Sequence, residues 1–221
     1  NKAIYYLTLS AKQNNSDAQY MLGIIYYYDE YALVDINKAI YYLTLSAKQN
    51  NSDAQYVLGI IYSDGKYVPI DIDRALYYLN CSSNQNNKYS HCTLGVMYHE
   101  GIHVPFDINK ALYYFGLSAN QNNAEAQMYI GLIYLIYDNI PHDIDKALYY
   151  LSLSANQNNA NSQMLIGLLY SMNTYVPFNI NKAIQYLSIS SNNNNKDAQF
   201  ILGQIYYANE LVPRNIPNAI K

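Results

Sequence analysis

Apolar and polar positions follow one pattern along this chain, and that pattern returns every 36 residues. Residues 1–26 and 37–62 differ only where Met21 is replaced by Val57. Glycine and tyrosine also keep fixed places in every repeat, which indicates a tandem array. The glycine ladder is Gly23, Gly59, Gly95, Gly131, Gly167 and Gly203, and the tyrosine ladder is Tyr26, Tyr62, Tyr98, Tyr134, Tyr170 and Tyr206.

The first part of each repeat predicts a helix. Between Asp53 and Tyr62 apolar residues recur three and four apart, which gives one apolar face. The helix is predicted to end near Asp64-Gly65, because Pro69 follows as a stop signal. A glycine within a helix costs about 1 kcal/mol relative to alanine. We therefore expect the glycine ladder to let a neighbouring helix approach closely.

The second part of each repeat predicts another helix, which begins after Asp71 and ends at Asn86-Asn87. Aspartate and asparagine are good N-caps, and asparagine also tolerates the left-handed backbone that closes helices. The expected N-caps are Asp35, Asp71, Asp107, Asp143, Asn179 and Asn215. The expected left-handed residues are Asn14, Asn50, Asn86, Asn122, Asn158 and Asn194.

The predicted fold follows from the way in which these helices must bury their apolar faces. Neither helix can bury its face alone, so neighbouring repeats must stack. We expect an all-α fold, a right-handed α/α superhelical solenoid of helix–turn–helix repeats that forms a single array over residues 1–221. Neither end carries the polar capping repeat that such arrays need, which favours an excerpt of a longer protein.

The repeat also resembles a known family. Its motif reads Ala54-Gln55-x-x-Leu58-Gly59-x-x-Tyr62, then Gly65-x-x-Val68-Pro69-x-Asp71, then Ala75-x-x-Tyr78 with Ser82-Ser83. This pattern covers the whole chain and resembles the Sel1-like repeat, a relative of the tetratricopeptide repeat. The resemblance implies a protein–protein interaction scaffold or adaptor that is not an enzyme. It also leaves open an array that regulates or targets a catalytic domain, such as a kinase, elsewhere in the protein.

Composition narrows the choice of partner. The net charge is −3 and no cluster of lysine and arginine occurs, so nucleic acid is not an expected partner. No run of about 20 apolar residues occurs, so no membrane span is expected. No cofactor motif stands out. The expected partners are other proteins or peptides.

The chain departs from its relatives on the outer side of the second helix, where family members usually carry charged residues. Here tyrosine and leucine lie four residues apart and share one side of the helix. This Tyr/Leu stripe is either additional core or an exposed track that binds a partner or a second copy. It consists of Tyr41, Leu45, Tyr77, Tyr113, Leu117, Tyr149 and Leu153.

A second candidate surface is a groove on the inner side of the first helix, at a position where the residue differs from repeat to repeat. A specific ligand that does not itself repeat would require such variation, although sequence drift also produces it. The groove residues are Tyr27, Ser63, His99, Leu135, Ser171 and Tyr207.

Two sequence features involve residue types that can bind a metal ion or form a disulfide bridge. His99-Glu100-Gly101-Ile102-His103 matches the H-E-x-x-H string of zinc proteases, which works only on a helix. The string falls in the expected loop, and His91 and His142 lie elsewhere, so we expect no metal site; a zinc enzyme remains a third hypothesis. Cys81 and Cys92 flank a turn symmetrically, and we interpret them as buried thiols, with a disulfide bridge as the alternative.

Overall fold

The computed structural model describes residues 2–28, 34–137 and 143–208, and these residues form twelve helices and no strands. The first helices of the repeats are α2 (Ser16–Tyr28), α4 (Ser52–Asp64), α6 (Lys88–Glu100), α8 (Ala124–Ile136), α10 (Ala160–Ser171) and α12 (Lys196–Ala208). The second helices are α1 (Lys2–Lys12), α3 (Ile36–Lys48), α5 (Ile72–Asn84), α7 (Ile108–Ala119), α9 (Ile144–Ala155) and α11 (Ile180–Asn192).

The predicted all-α repeat fold is confirmed, with a first and a second helix recurring along the chain. The chain divides into two compact halves, Asn1–Ser118 and Ala119–Lys221, and the helices of each half are described separately below. His142 and the predicted N-cap Asn215 lie outside the described residues. That residues 1–221 form a single array stays a prediction.

Side chains cap both helices of the repeat. As predicted, the Asp71 carboxylate accepts the Arg74 backbone N–H at 3.0 Å at the start of α5. Asn50 has the predicted left-handed backbone, with a φ of 61°. The next residue, Asn51, caps α4 by accepting the Ala54 backbone N–H at 2.9 Å. The two consecutive asparagines therefore end one helix and start the next.

The glycine ladder brings the two helices of a repeat together, as predicted. A Cβ atom built on Gly59 would lie 2.6 Å from Leu79 Cγ, closer than two carbon atoms can pack. Leu79 is fully buried at this contact. The same contact recurs between Gly23 and Leu43, and between Gly95 and Phe115. A missing side chain on α4 thus makes room for a large one on α5.

The tyrosine ladder lies beside this contact and joins the same two helices. The Tyr62 ring stacks on the Tyr78 ring with their centroids 6.1 Å apart. The guanidinium of Arg74, which belongs to the second helix, lies 5.1 Å from the centroid of the Tyr62 ring. The Asp71 backbone N–H donates to the Tyr62 carbonyl oxygen at 2.9 Å and closes the loop between the helices. One residue of the first helix therefore anchors the start of the second.

Buried polar side chains form a seam at the other end of the repeat. The Ser82 hydroxyl donates to the Ser52 carbonyl oxygen at 2.7 Å and joins the two helices of one repeat. The Gln55 amide donates to the Ala47 carbonyl oxygen of the preceding repeat at 3.2 Å. Gln85 then donates to the Gln55 side-chain oxygen at 2.7 Å. These bonds satisfy buried groups and tie adjacent repeats together.

His91 takes the place of the seam glutamine in the third repeat. Only 2% of its surface is exposed, and its Nε2 lies 3.1 Å from the Ser83 carbonyl oxygen. Burial lowers the pKa of His91, against the opposing effect of the hydrogen bond to Ser83. The imidazole is therefore held in its neutral form in the folded chain.

We expect Gly59→Ala to lower the free energy of unfolding by about 1–3 kcal/mol, because the new methyl group overlaps Leu79. Gly116→Ala in α7 is the matched control, since nothing lies within 4 Å of its added Cβ. The control should raise stability by up to about 1 kcal/mol through helix propensity. Thermal melts followed by circular dichroism measure both, and equal shifts in the two variants would contradict the packing role of the ladder.

We also expect stability to depend on pH through His91. The unfolded chain binds a proton on this imidazole below about pH 6.5, whereas the folded chain stays neutral to lower pH. The stability that the chain gains by keeping His91 neutral is therefore fully present above about pH 6.5. It is lost as the pH falls to the pKa of His91 in the folded chain.

His91→Gln should flatten this decline in urea melts at several pH values, because it restores the glutamine of the other repeats. Part of the slope should remain, since burial also lowers the pKa of His99. His103→Asn is the control: the residue is exposed and left-handed, with a φ of 66° that asparagine tolerates. An unchanged slope in His91→Gln would contradict the assignment.

Candidate protein-binding surfaces

The tyrosines of the Tyr/Leu stripe are exposed on the second helices. Tyr41 and Tyr149 are each 59% exposed, and Tyr77 and Tyr113 are each 63% exposed. The leucines that follow them by four residues are half-buried: Leu45, Leu117 and Leu153. Among the described residues no helix covers the stripe tyrosines, so they do not belong to the core of either half.

The ring of each stripe tyrosine contacts the ring of the tyrosine that follows it in the sequence. The Tyr77 ring meets the Tyr78 ring edge to face, with centroids 5.1 Å apart. Tyr78 in turn stacks on the ladder residue Tyr62. Burial raises the pKa of Tyr78, which is typical of a hydroxyl withdrawn from water. One tyrosine of each adjacent pair is thus part of the packing, while the other faces solvent.

The predicted groove residues do not share one environment. Tyr27 and Leu135 are both 6% exposed and pack inside their halves. Ser63, His99 and Ser171 are half-buried. Tyr207, near the end of the described residues, is 80% exposed. The side chains of Tyr27 and Leu135 therefore contact other protein atoms rather than an open groove.

The next position along the first helix carries the varied and exposed side chains instead. Tyr28, Ile136 and Met172 are 62%, 55% and 50% exposed, and Asp64 and Glu100 are exposed as well. Adjacent helical residues point about 100° apart, so an error of one position changes a surface residue into a packed one. The sequence carries one signal of this difference in exposure: charged residues occur at the position of Tyr28 in other repeats, but not at the position before it.

The H-E-x-x-H string was predicted in a loop, but it lies across the end of α6 and only its second part is outside the helix. His99 and Glu100 form the last residues of α6, Gly101 has a φ of 67°, and His103 has a φ of 66°. The two histidines therefore lack the helical spacing that zinc proteases use. Among the described residues, no three His, Cys, Asp or Glu side chains lie close enough to hold a metal ion.

Cys81 and Cys92 are not joined by a disulfide bridge in the structure. Cys81 is half-buried on α5, at the position that Leu45 occupies in the repeat before it. Cys92 is buried on α6. The prediction of buried thiols therefore holds for Cys92, whereas Cys81 is only half-buried.

Comparison with known families accounts for nearly the whole chain. The model described as the Sel1 repeat matches residues 1–15, 16–51, 52–87, 89–123, 124–159, 160–195 and 196–221. The chain belongs to the Sel1 repeat family. Sel1 repeats generally act as protein-interaction scaffolds, and their fold is typically non-catalytic.

Solved Sel1 structures share the fold. A protective antigen of uropathogenic Escherichia coli, described as having an SLR fold, is 27% identical with a TM-score of 0.88. The match covers 98% of this chain and 46% of that protein, so the Sel1 chain spans just under half of its length. A Sel1 repeat protein of Oxalobacter formigenes is 24% identical with a TM-score of 0.86, and the match covers 94% and 85% of the two chains.

A more distant likeness concerns the fold alone. An immunity protein of Pseudomonas aeruginosa is 18% identical to this Sel1 chain, with a TM-score of 0.61, and the match covers 90% and 72% of the two chains. None of the curated proteins matches the sequence. No described helix of the Sel1 chain has the length and apolar character that crossing a membrane requires.

Replacing one or the other tyrosine of an adjacent pair should change the stability of this Sel1 chain by very different amounts. Tyr77→Ala should change the free energy of unfolding by no more than about 0.5 kcal/mol, because the ring is mostly exposed. Tyr78→Ala should lower it by at least about 2 kcal/mol, because it leaves the Tyr62 ring without its stacking partner. Urea melts compare the two, and similar losses would show that the stripe is part of the core.

Proposed function

We propose that this Sel1 chain is a non-catalytic scaffold that binds another protein, with the part of the Tyr/Leu stripe in the N-terminal half as one docking surface. The observation that supports this most directly is the exposure of Tyr41, Tyr77 and Tyr113, which are 59%, 63% and 63% exposed. Tyrosine is enriched at binding hot spots because it offers a large contact area with few rotatable bonds. The half-buried leucines beside them extend the apolar area, and contiguous apolar patches mark contact sites.

The roles of the histidines and cysteines also favour binding over catalysis. His91 replaces a seam glutamine, and the His99 ring packs edge-on against Phe115 with centroids 6.3 Å apart. Cys92 is buried within α6. His91, His99 and Cys92 are therefore part of the packing of the chain, while His103 is exposed.

A displayed peptide library selected on the immobilised chain tests the proposal and requires no assumption about the partner's sequence. Peptides that bind should lose at least about tenfold in affinity when Tyr77 and Tyr113 are both changed to serine, since each hot-spot tyrosine contributes more than about 1 kcal/mol. Tyr6→Ser with Tyr175→Ser is the matched control, because these exposed tyrosines lie outside the stripe. Fluorescence anisotropy gives the dissociation constants.

Equal weakening in the two double variants would contradict the stripe as the docking surface, and failure to select any peptide would contradict protein binding. If the stripe instead binds a second copy of the chain, sedimentation velocity should reveal a dimer. The pair Tyr77→Ser and Tyr113→Ser should then dissociate that dimer, while the control pair should leave it intact.

A further inference from the structure

The first helices of the N-terminal half carry a second unpartnered face. Residues that are three, seven and eleven positions apart lie on one side of a helix. On α2 and α4 that side includes Asp17, Tyr20, Tyr28, Asp53, Ile60 and Asp64, which we call the first-helix face, together with Ile24 and Tyr56, which pack against the core. Asp17, Asp53 and Asp64 are exposed, and Tyr28 is 62% exposed.

Several contacts place the α2 and α4 parts of this face side by side. The Tyr27 hydroxyl donates to the Asp64 carboxylate at 3.3 Å and links the C-terminal ends of the two helices. Burial raises the pKa of Tyr20, and the Asp53 carboxylate, Tyr28 and Tyr89 raise it further. Aromatic rings and carboxylates of neighbouring helices are therefore mixed on a common surface.

The carboxylates of this face bond to neutral groups. The Asn51 amide donates to Asp17 at 3.3 Å, and the Asn87 amide donates to Asp53 at 2.8 Å. No lysine or arginine in the described part of the chain forms an ion pair with these three aspartates, although Lys66 lies near Asp64.

Three positive charges of this half make their closest contacts elsewhere. On the second helices, Lys38 and Arg74 pair with the N-cap residues Asp35 and Asp71 at 3.0 Å and 2.9 Å. Lys66 lies over the Tyr67 ring at 4.6 Å from the centroid. These three side chains therefore contact groups other than the carboxylates of the first-helix face.

Carboxylates beside exposed tyrosine rings suit ammonium and guanidinium groups. A cation over a tyrosine ring gains about 0.5–2 kcal/mol, and a charge-assisted hydrogen bond to a carboxylate adds to this. The chain already uses this contact on the adjoining helix, where the Lys88 ammonium lies 5.3 Å from the Tyr89 centroid. The half-buried Ile60 between Asp53 and Asp64 provides an apolar floor.

We infer that the first-helix face binds an extended segment of a partner protein in which two lysine or arginine residues lie four positions apart with an apolar residue midway between them. This inference rests on the proposed function, since it assumes that the chain binds proteins. Asp53 and Asp64 are eleven residues apart on α4, which corresponds to about 16 Å along the helix. In an extended segment, residues four positions apart point to the same side and lie about 13 Å apart, so the long side chains of two basic residues at this spacing can reach both carboxylates while the apolar residue between them faces Ile60.

Labelled synthetic peptides provide the probe. One peptide carries two lysines four positions apart, with leucine midway between them and serine at the other positions, and its twin carries glutamate in place of lysine. The first should bind the full chain in a fluorescence anisotropy assay, with an affinity that falls as salt rises from about 0.05 M to about 0.5 M. The glutamate twin should not bind. Equal binding of the two peptides would overturn the inference.

Two variants of equal net charge separate the face from general attraction. Asp17→Asn with Asp53→Asn and Asp64→Asn should weaken binding of the lysine peptide at least about tenfold. The matched control changes three carboxylates of the second helices, Asp71, Asp73 and Asp107, to asparagine and should leave binding within about twofold. Equal weakening in both variants would mean that only net charge matters, which would overturn the inference.

Both variants should fold, because the chain already uses asparagine in place of the other aspartates at equivalent repeat positions, and Asp64→Asn keeps an oxygen that can accept from the Tyr27 hydroxyl. Asn161 occupies the position of Asp53 in a later repeat and accepts the Asn195 amide at 2.9 Å. Asn179 serves as an N-cap in the position of Asp71. Circular dichroism checks this. If the lysine peptide fails to bind while library peptides still bind through the stripe, the inference about this face is wrong and the proposed function survives.

Discussion

The close approach of two helices at a glycine is the contact on which the rest of each repeat depends. A Cβ atom on Gly59 would overlap Leu79, so a side chain at this position would force the two helices or Leu79 to shift. Once the helices are this close, the Tyr62 and Tyr78 rings can stack, and Arg74 can reach over the first of them. The fully buried leucine, the aromatic stack and the cation therefore follow from one absent methyl group.

The polar seam explains why a chain with 13% charged residues can still fold uniquely. A buried polar group without a partner costs about 1–3 kcal/mol, so a seam of glutamine, serine and asparagine stabilises only the arrangement that pairs them all. Gln55 illustrates this, because it donates to one repeat and accepts from its own second helix. Apolar contacts bring the repeats together, and the seam fixes how far one slides along the next.

Features that depend on near neighbours could be predicted from the sequence, whereas those that depend on distant ones could not. The N-cap Asp71 and the left-handed Asn50 follow from rules about a few adjacent residues, as does the need for space at Gly59. The seam joins residues 30 and 34 apart, such as Ser82 with Ser52 and Asn87 with Asp53, and no local signal marks them.

The surfaces were harder to predict than the fold for a related reason. Tyr41 and Tyr42 are adjacent residues of the same type, yet only Tyr42 stacks on Tyr26. At the end of the first helix, the choice between Tyr27 and Tyr28 depends on where the next helix and its loop lie. Exposure is a property of the assembled repeats and not of the pattern within one of them.

The repeating bonds also bear on how such a chain can change its length over generations. The first two repeats offer their neighbours the same donors and acceptors, as Asn51 does to Asp17 and Asn87 does to Asp53. Unequal recombination that inserts or deletes one whole 36-residue segment with these residues keeps such bonds within a half, whereas a partial segment would break the seam. The near identity of residues 1–26 and 37–62 is the trace that a recent duplication of this kind would leave.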